Sequence, residues 1–264
     1  MSTVLSPETI EKTDIKAVRS ILISQPKPKN NKSAYFDLAR KHNIKIDFRQ
    51  FIHVEGISAK EFRKTRINPL EYKAVIFTSR NAISHFFRVC GEMRIKMPDT
   101  TKYFCASEAI ALYLQKFILY RKRKVFFSKI SSPNGLRTIL KKHKKSLNFL
   151  LPCSANRKSA LATYLKENDF KYAEADIYET VASDLSDLEN IYYDMIVFFS
   201  PLGLKSLFIN FPDFQQNNTR IAAFGPTTSK AVLEHGLNLD VKAPAPESPS
   251  MTMAIHRYIK SLKK

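Results

Sequence analysis

Three short stretches set hydroxyl groups beside backbone amides that a helix leaves unpaired: Thr78-Ser79-Arg80-Asn81, Ser200-Pro201-Leu202-Gly203 and Gly225-Pro226-Thr227-Thr228. Each follows an apolar run and precedes an amphipathic one, so each reads as a turn from strand into helix. The first N–H groups of a helix have no partner within it and lie at the positive end of its dipole. Joined to Ser and Thr hydroxyls, they suit carboxylate binding. Each hydroxyl also has a plainer use, with Ser79, Ser200 or Thr227 as N-caps and Thr228 as a first helical residue. Three similar turns in one chain favour a ligand.

Other catalytic groups are scarce. There is no GxGxxG, GxxxxGK[ST] or GxSxG, and six glycines leave little for a phosphate-cradling loop. Cys90, Cys105 and Cys153 are isolated within apolar stretches, and the six histidines form no HxxxH or HExxH pair. Neither a disulfide framework nor a metal site is expected. Chemistry here would rest on positioning and backbone dipoles, without metal or cofactor.

The elements that must position these turns alternate as in α/β proteins. Strands are expected at Val18–Ser24, Lys45–His53, Ala74–Thr78, Lys102–Cys105, Val125–Phe127, Leu147–Leu151, Ala173–Thr180, Met195–Phe199, Ile221–Phe224 and Leu239–Lys242. Most are short and apolar, as in parallel strands covered on both faces. One helix presents Ile83, Phe86, Phe87 and Cys90, a second Leu204, Leu207, Phe208 and Phe211, and the last Met251, Ala254, Tyr258, Ile259 and Leu262.

An internal repeat organises them. Tyr72–Phe87 aligns without gaps on Tyr193–Phe208, Cys105–Ala109 aligns on Gly225–Ser229, and Ile44–Ile52 echoes Phe170–Tyr178. A repeat far longer than a solenoid unit implies two similar lobes. Lys45–His53 and Ala173–Thr180 alternate polar with apolar residues and would suit a two-stranded connector. The expected architecture is therefore α/β, with two similar parallel-sheet lobes joined by that connector and an active-site cleft between them. One lobe would hold residues 1–48 plus 181–264, and the other residues 52–174.

The formal net charge is +19, densest at Arg121-Lys122-Arg123-Lys124 and Lys141–Lys145, with further lysines at 27–32 and the C-terminus. It fits either attraction of a polyanion or a set of solvated surface faces. No nucleic-acid motif accompanies it, so nucleic acid is the least supported partner. No apolar run is long enough to span a bilayer, and MSTVLSPETIEKTD lacks a secretory pattern. A cytoplasmic protein with no membrane partner is expected.

Four further segments carry a resemblance: DIYETV (Asp176–Val181), IVFFSPLGL (Ile196–Leu204), IAAFGPTTSKAVLEHGL (Ile221–Leu237) and APAPESPSMTMAI (Ala243–Ile255). In order and spacing they resemble the uroporphyrinogen-III synthase family, and VIFTSRNAI (Val75–Ile83) resembles its first-lobe motif. The resemblance implies two α/β lobes joined by a two-stranded ladder and hydroxymethylbilane, a polycarboxylate linear tetrapyrrole, as substrate. It implies loss of the terminal hydroxyl, attack through the substituted carbon of the last ring, and a spiro intermediate from which that ring emerges inverted. No cofactor is needed, and the substrate would be handed on by hydroxymethylbilane synthase to a monomer. Tyr178 would assist departure of the hydroxyl; Thr78, Ser79, Asn81, Ser200, Gly203, Gly225, Thr227 and Thr228 would bind substrate. Cys105, Glu108 and Leu202 depart from the family pattern, where a Gly, a Thr and a small polar residue are usual. Glu108 would repel a polycarboxylate unless paired with a cation. The alternative is a family member that has lost catalysis and serves as a binding protein.

Overall fold

The apolar runs become strands buried on both faces because successive side chains point to opposite sides. The chain is described by a computed structural model over residues 17–30, 32–128, 133–156, 159–189 and 191–262. The acidic N-terminal stretch and the last two lysines lie outside these residues.

Contacts divide the chain into two compact units, Met1–His53 with Val181–Lys264 and Val54–Thr180. The first holds β1 (Ser20–Ile23), α1 (Ala34–His42), β2 (Lys45–Phe48), β9 (Met195–Phe198), α7 (Pro201–Asn210), β10 (Arg220–Phe224), α8 (Pro226–Glu234), β11 (Val241–Ala243) and α9 (Met251–Ser261). Its five-stranded sheet has the order β11-β10-β9-β1-β2 and is parallel throughout. Ile21, Ile23, Met195 and Val197 pack into one core layer, and Leu22, Ile196 and Phe198 into the opposite one. Buried Asp194 accepts bonds from the Arg19 and Ser20 N–H groups (both 2.9 Å) and the Ser20 hydroxyl (3.0 Å), which pins β9 to β1. Burial would raise its carboxyl, but these bonds outweigh it and hold the group below its ordinary pKa.

The second unit holds α2 (Ala59–Lys64), β4 (Ala74–Phe77), α3 (Arg80–Glu92), β5 (Lys102–Cys105), α4 (Glu108–Leu114), β6 (Val125–Phe127), α5 (Pro133–His143), β7 (Phe149–Ser154) and α6 (Ala160–Glu167). With β3 (Ile52–Gly56) and β8 (Tyr172–Ala182) its sheet has the order β3-β8-β7-β4-β5-β6. Val75 and Phe77 face one core layer, Ala74 and Ile76 the other. Deleting a side chain such as Phe77 to alanine would cost about 3–5 kcal/mol.

The parallel pairing of β1, β2, β9, β10 and β11, and of β4 through β8, is as expected of an α/β chain. The stretch 45–53 differs: it is two strands, β2 and β3, which belong to different sheets. Arg49-Gln50-Phe51 interrupts it because each side chain is engaged elsewhere. Arg49 grips the Asp187 carboxylate (2.9 Å), Gln50 donates to the Ile52 carbonyl (2.8 Å) and Phe51 is fully buried. Strand β8 is likewise an integral strand, parallel to β7, while β3 occupies the sheet's edge beside it.

Candidate active site

Both halves of the repeat fold alike at their first turn. Ser79 caps α3 by accepting from the Ala82 N–H at 3.1 Å, and Ser200 caps α7 by accepting from the Gly203 N–H at 3.1 Å. The extended cap backbone lets each hydroxyl turn back over the orphan amides. Gly203 is buried under its own cap, where a Cβ would lie 3.3 Å from Ser200 Oγ. Thr78 and Asn81 are exposed, Ser79 and Ser200 half-buried.

At the second turn the repeats diverge. Ser107 caps α4 in one, whereas α8 starts two residues earlier with Gly225 as its cap. Gly225 has φ of +88°, a conformation that its counterpart Cys105 would adopt only with strain. The N-cap reading of Thr227 and the first-residue reading of Thr228 are thus corrected: Pro226 is the first helical residue, and both threonines lie within the first turn. The cap has no side-chain hydrogen bond, and the first capping amide engaged by the backbone is that of Ser229. Thr227 is exposed, but Thr228 is only 1% exposed, so its side chain packs inward and its N–H is the group it offers at the helix start.

Tyr178 meets Ser79 directly. Its hydroxyl lies 3.4 Å from Ser79 Oγ, longer than an ordinary O–H···O bond. The half-buried ring rests against the core of the second unit and stacks on His85, with centroids 5.4 Å apart and planes 27° apart. Burial, and then the neighbouring Arg88 charge, hold the His85 imidazole below its ordinary pKa, so it is neutral at pH 7. Its Nδ1 is buried without a hydrogen-bond partner among the described residues. Arg88 donates to the Ile57 carbonyl at 2.6 Å and pairs with Glu92. Gly56 makes room for this packing: a Cβ there would stand 2.5 Å from Arg88 Nη2 and 2.7 Å from His85 Nδ1.

Sequence reading missed His85. Its position in α3 lies off the Ile83, Phe86, Cys90 face, so apolar periodicity passes over it, and its contact with β8 joins segments far apart in the chain. Glu108 is exposed in the first turn of α4, where the helix dipole favours a carboxylate, and no ion pair among the described residues engages it. Cys105, Cys90 and Cys153 are all pushed up to about 12, chiefly by burial, so none is a thiolate at neutral pH. Among the described residues no cluster of three or more His, Cys, Asp or Glu could hold a metal ion. No helix among them is long and apolar enough to cross a membrane.

Comparison with known proteins adds an independent line. A Saccharomyces cerevisiae protein named uroporphyrinogen-III synthase is 32% identical over 75 residues, covering 27% of this chain and 27% of that protein. The aligned segment therefore spans only about a quarter of the yeast relative. The crystal structure of uroporphyrinogen-III synthetase from Helicobacter pylori superposes with a TM-score of 0.54 at 18% identity, covering 92% of this chain and 99% of that one. That likeness speaks for the fold. Residues 34–253 match the family described as uroporphyrinogen-III synthase HemD. With most of its length inside that match, the chain belongs to the uroporphyrinogen-III synthase family.

Proposed function

We propose that the protein closes hydroxymethylbilane to uroporphyrinogen III, releasing one water and inverting the last pyrrole ring. The substrate bears a carboxylate-tipped acetate and propionate on every ring, so binding calls for many donors spread over a large surface. The turns at Thr78–Asn81, Ser200–Gly203 and Gly225–Thr228 would each supply such donors. At the last of them the N–H groups of Thr227 and Thr228, rather than the buried Thr228 hydroxyl, would meet a carboxylate.

The observation that carries this reading is the meeting of Tyr178 with Ser79, two residues the family resemblance implicates from positions 99 apart in the chain. Tyr178 would donate its O–H to the departing hydroxyl as the terminal carbon becomes an azafulvene. Ser79 would hold the phenol in place when substrate is absent, and the bond is long enough to yield. Closure through the substituted carbon of the last ring then gives the spiro intermediate, and its reopening delivers the inverted ring. Positioning and hydrogen bonding suffice for these steps, as the hydroxyl departs from an electron-rich pyrrole.

In the same reading the protein is a cytoplasmic monomer that receives substrate from hydroxymethylbilane synthase. The exposed Glu108 supports a second reading, in which catalysis has been lost and a binding role remains. Adding the purified protein to freshly generated hydroxymethylbilane separates them. Consumption faster than the spontaneous rate supports the enzyme, and an unchanged rate supports the binder.

A further inference from the structure

The positive charge is not spread evenly along the chain. No Asp or Glu occurs between Glu108 and Glu167, while that stretch carries fourteen Lys and Arg. Helices return antiparallel to the strands they follow, so in the second unit the helix ends and the strand starts share one end of the sheet. The candidate turn at Thr78–Ser79 lies at the opposite end, where strand β4 finishes, as does the β5–α4 turn at Ala106–Ser107.

The loops at the far end concentrate the cations. The α4–β6 loop holds Lys116 and Arg121-Lys122-Arg123-Lys124, the α3–β5 loop Arg94 and Lys96, and the α5–β7 loop Lys144 and Lys145. Asp99 is the one acid in these three loops, and it lies 3.5 Å from Arg121. Apolar side chains stand exposed among them. Leu119, at 77% exposure, is the most exposed large hydrophobic residue described, and Leu70, just before β4, is 47% exposed. Two cavities open here and bring the two kinds of side chain together. One, of about 440 Å³, is lined by Lys96, Arg121 and Lys124 with Phe117 and Leu119. The other, of about 280 Å³, is lined by Leu70 with Lys73 and Lys102.

We propose that this end of the second unit docks on an anionic lipid bilayer. A negative surface complements the three loops, whose nine cations are set against the single acid Asp99, with Glu71 a further acid beside Leu70, each Lys or Arg near it contributing on the order of 1 kcal/mol. The acyl region accepts the exposed aliphatic side chains. Nucleic acid fits less well: binding of unpaired bases draws on free aromatic faces, whereas Leu70 and Leu119 are aliphatic and Phe117 already stacks on Phe87 (5.1 Å, 14°). The expected absence of a membrane partner rested on the lack of a spanning run, and surface attachment needs none. Within this unit the charge lies at the end opposite the Thr78–Ser79 turn, so it is not part of the site proposed there.

Co-sedimentation of the full chain with phosphatidylcholine vesicles, with and without phosphatidylserine, tests this. The protein should pellet only with phosphatidylserine and be released as salt shortens the Debye length from about 10 Å at 0.1 M to about 3 Å at 1 M. Neutralising Lys122→Gln with Arg123→Gln should weaken partitioning about 30-fold. Leu119→Ser, which leaves the charge unchanged, should weaken it roughly 10-fold or more. Circular dichroism and turnover of soluble substrate should stay unchanged in both variants. Failure to pellet with phosphatidylserine, vesicle binding indifferent to Leu119→Ser, or tighter binding to mixed DNA or polyglutamate than to vesicles would each overturn the proposal.

Discussion

The Tyr178 hydroxyl lies 3.4 Å from Ser79 Oγ, so a residue of strand β8 reaches the hydroxyl that caps helix α3. The two can be separated by mutation because only Ser79 also holds the helix start. Tyr178→Phe keeps the ring and its stack on His85 and removes one O–H. It should lower kcat roughly 10- to 150-fold, the worth of one hydrogen bond to a charged group, with little change in KM. Ser79→Ala should lower kcat less but also destabilise the fold by about 0.5–2 kcal/mol as the cap is lost. Steady-state kinetics beside urea melts of both variants check the division.

His85 makes stability depend on pH in a defined direction. Its folded pKa lies below the ordinary value, so the unfolded chain takes up the proton first as pH falls. Stability is therefore lost progressively below about pH 6.5. His143 and His256 are shifted the same way, both chiefly by burial, and add to the slope. His85→Phe should keep the stack on Tyr178 and reduce, without abolishing, the fall in urea midpoint between about pH 7 and pH 5.

Gly56 is required by the approach of two side chains rather than by a turn. Gly56→Ala would press a methyl group against the Arg88 guanidinium and His85 Nδ1, both held from the other side. A loss of about 1–3 kcal/mol is expected in urea unfolding. Removing the obstruction with Arg88→Ala in the same chain should recover part of the Gly56→Ala loss, as a double-mutant cycle would report.

Glu108 stands at a helix start where its charge helps the helix and opposes an anionic ligand. Glu108→Thr should lower stability by about 0.3–1 kcal/mol. Activity should stay equal or improve, seen as an unchanged or lower KM for hydroxymethylbilane. A rise in KM would mean that the carboxylate assists binding.

Much of the fold was legible because apolar runs with polar ends define strands locally. Strands β5 and β6 fall on the expected Lys102–Cys105 and Val125–Phe127. Strand β7 runs on to Ser154, past the expected end at Leu151, because pairing with β8 continues through a register shift between Cys153 and Ser154. The Ser79 and Ser200 caps were legible from their positions before amphipathic runs, and the structure has both. The α8 start was misread because the threonine hydroxyls drew the cap two residues too far along, although Pro226 suits a first helical position and Gly225 the positive φ before it. Stretch 45–53 read as one strand because alternation of side chains says nothing of which sheet receives them. His85 could not be read at all, since its partner Tyr178 is brought to it only by tertiary packing.

The most direct test of the account is the isomer composition of the product. Hydroxymethylbilane closes unaided to the uninverted isomer I, so only a protein that directs the last ring yields isomer III. With substrate supplied by purified hydroxymethylbilane synthase, the unmodified protein should give predominantly isomer III, and Tyr178→Phe should return the mixture towards isomer I. Isomer I alone from the unmodified protein, formed at the spontaneous rate, would contradict the account.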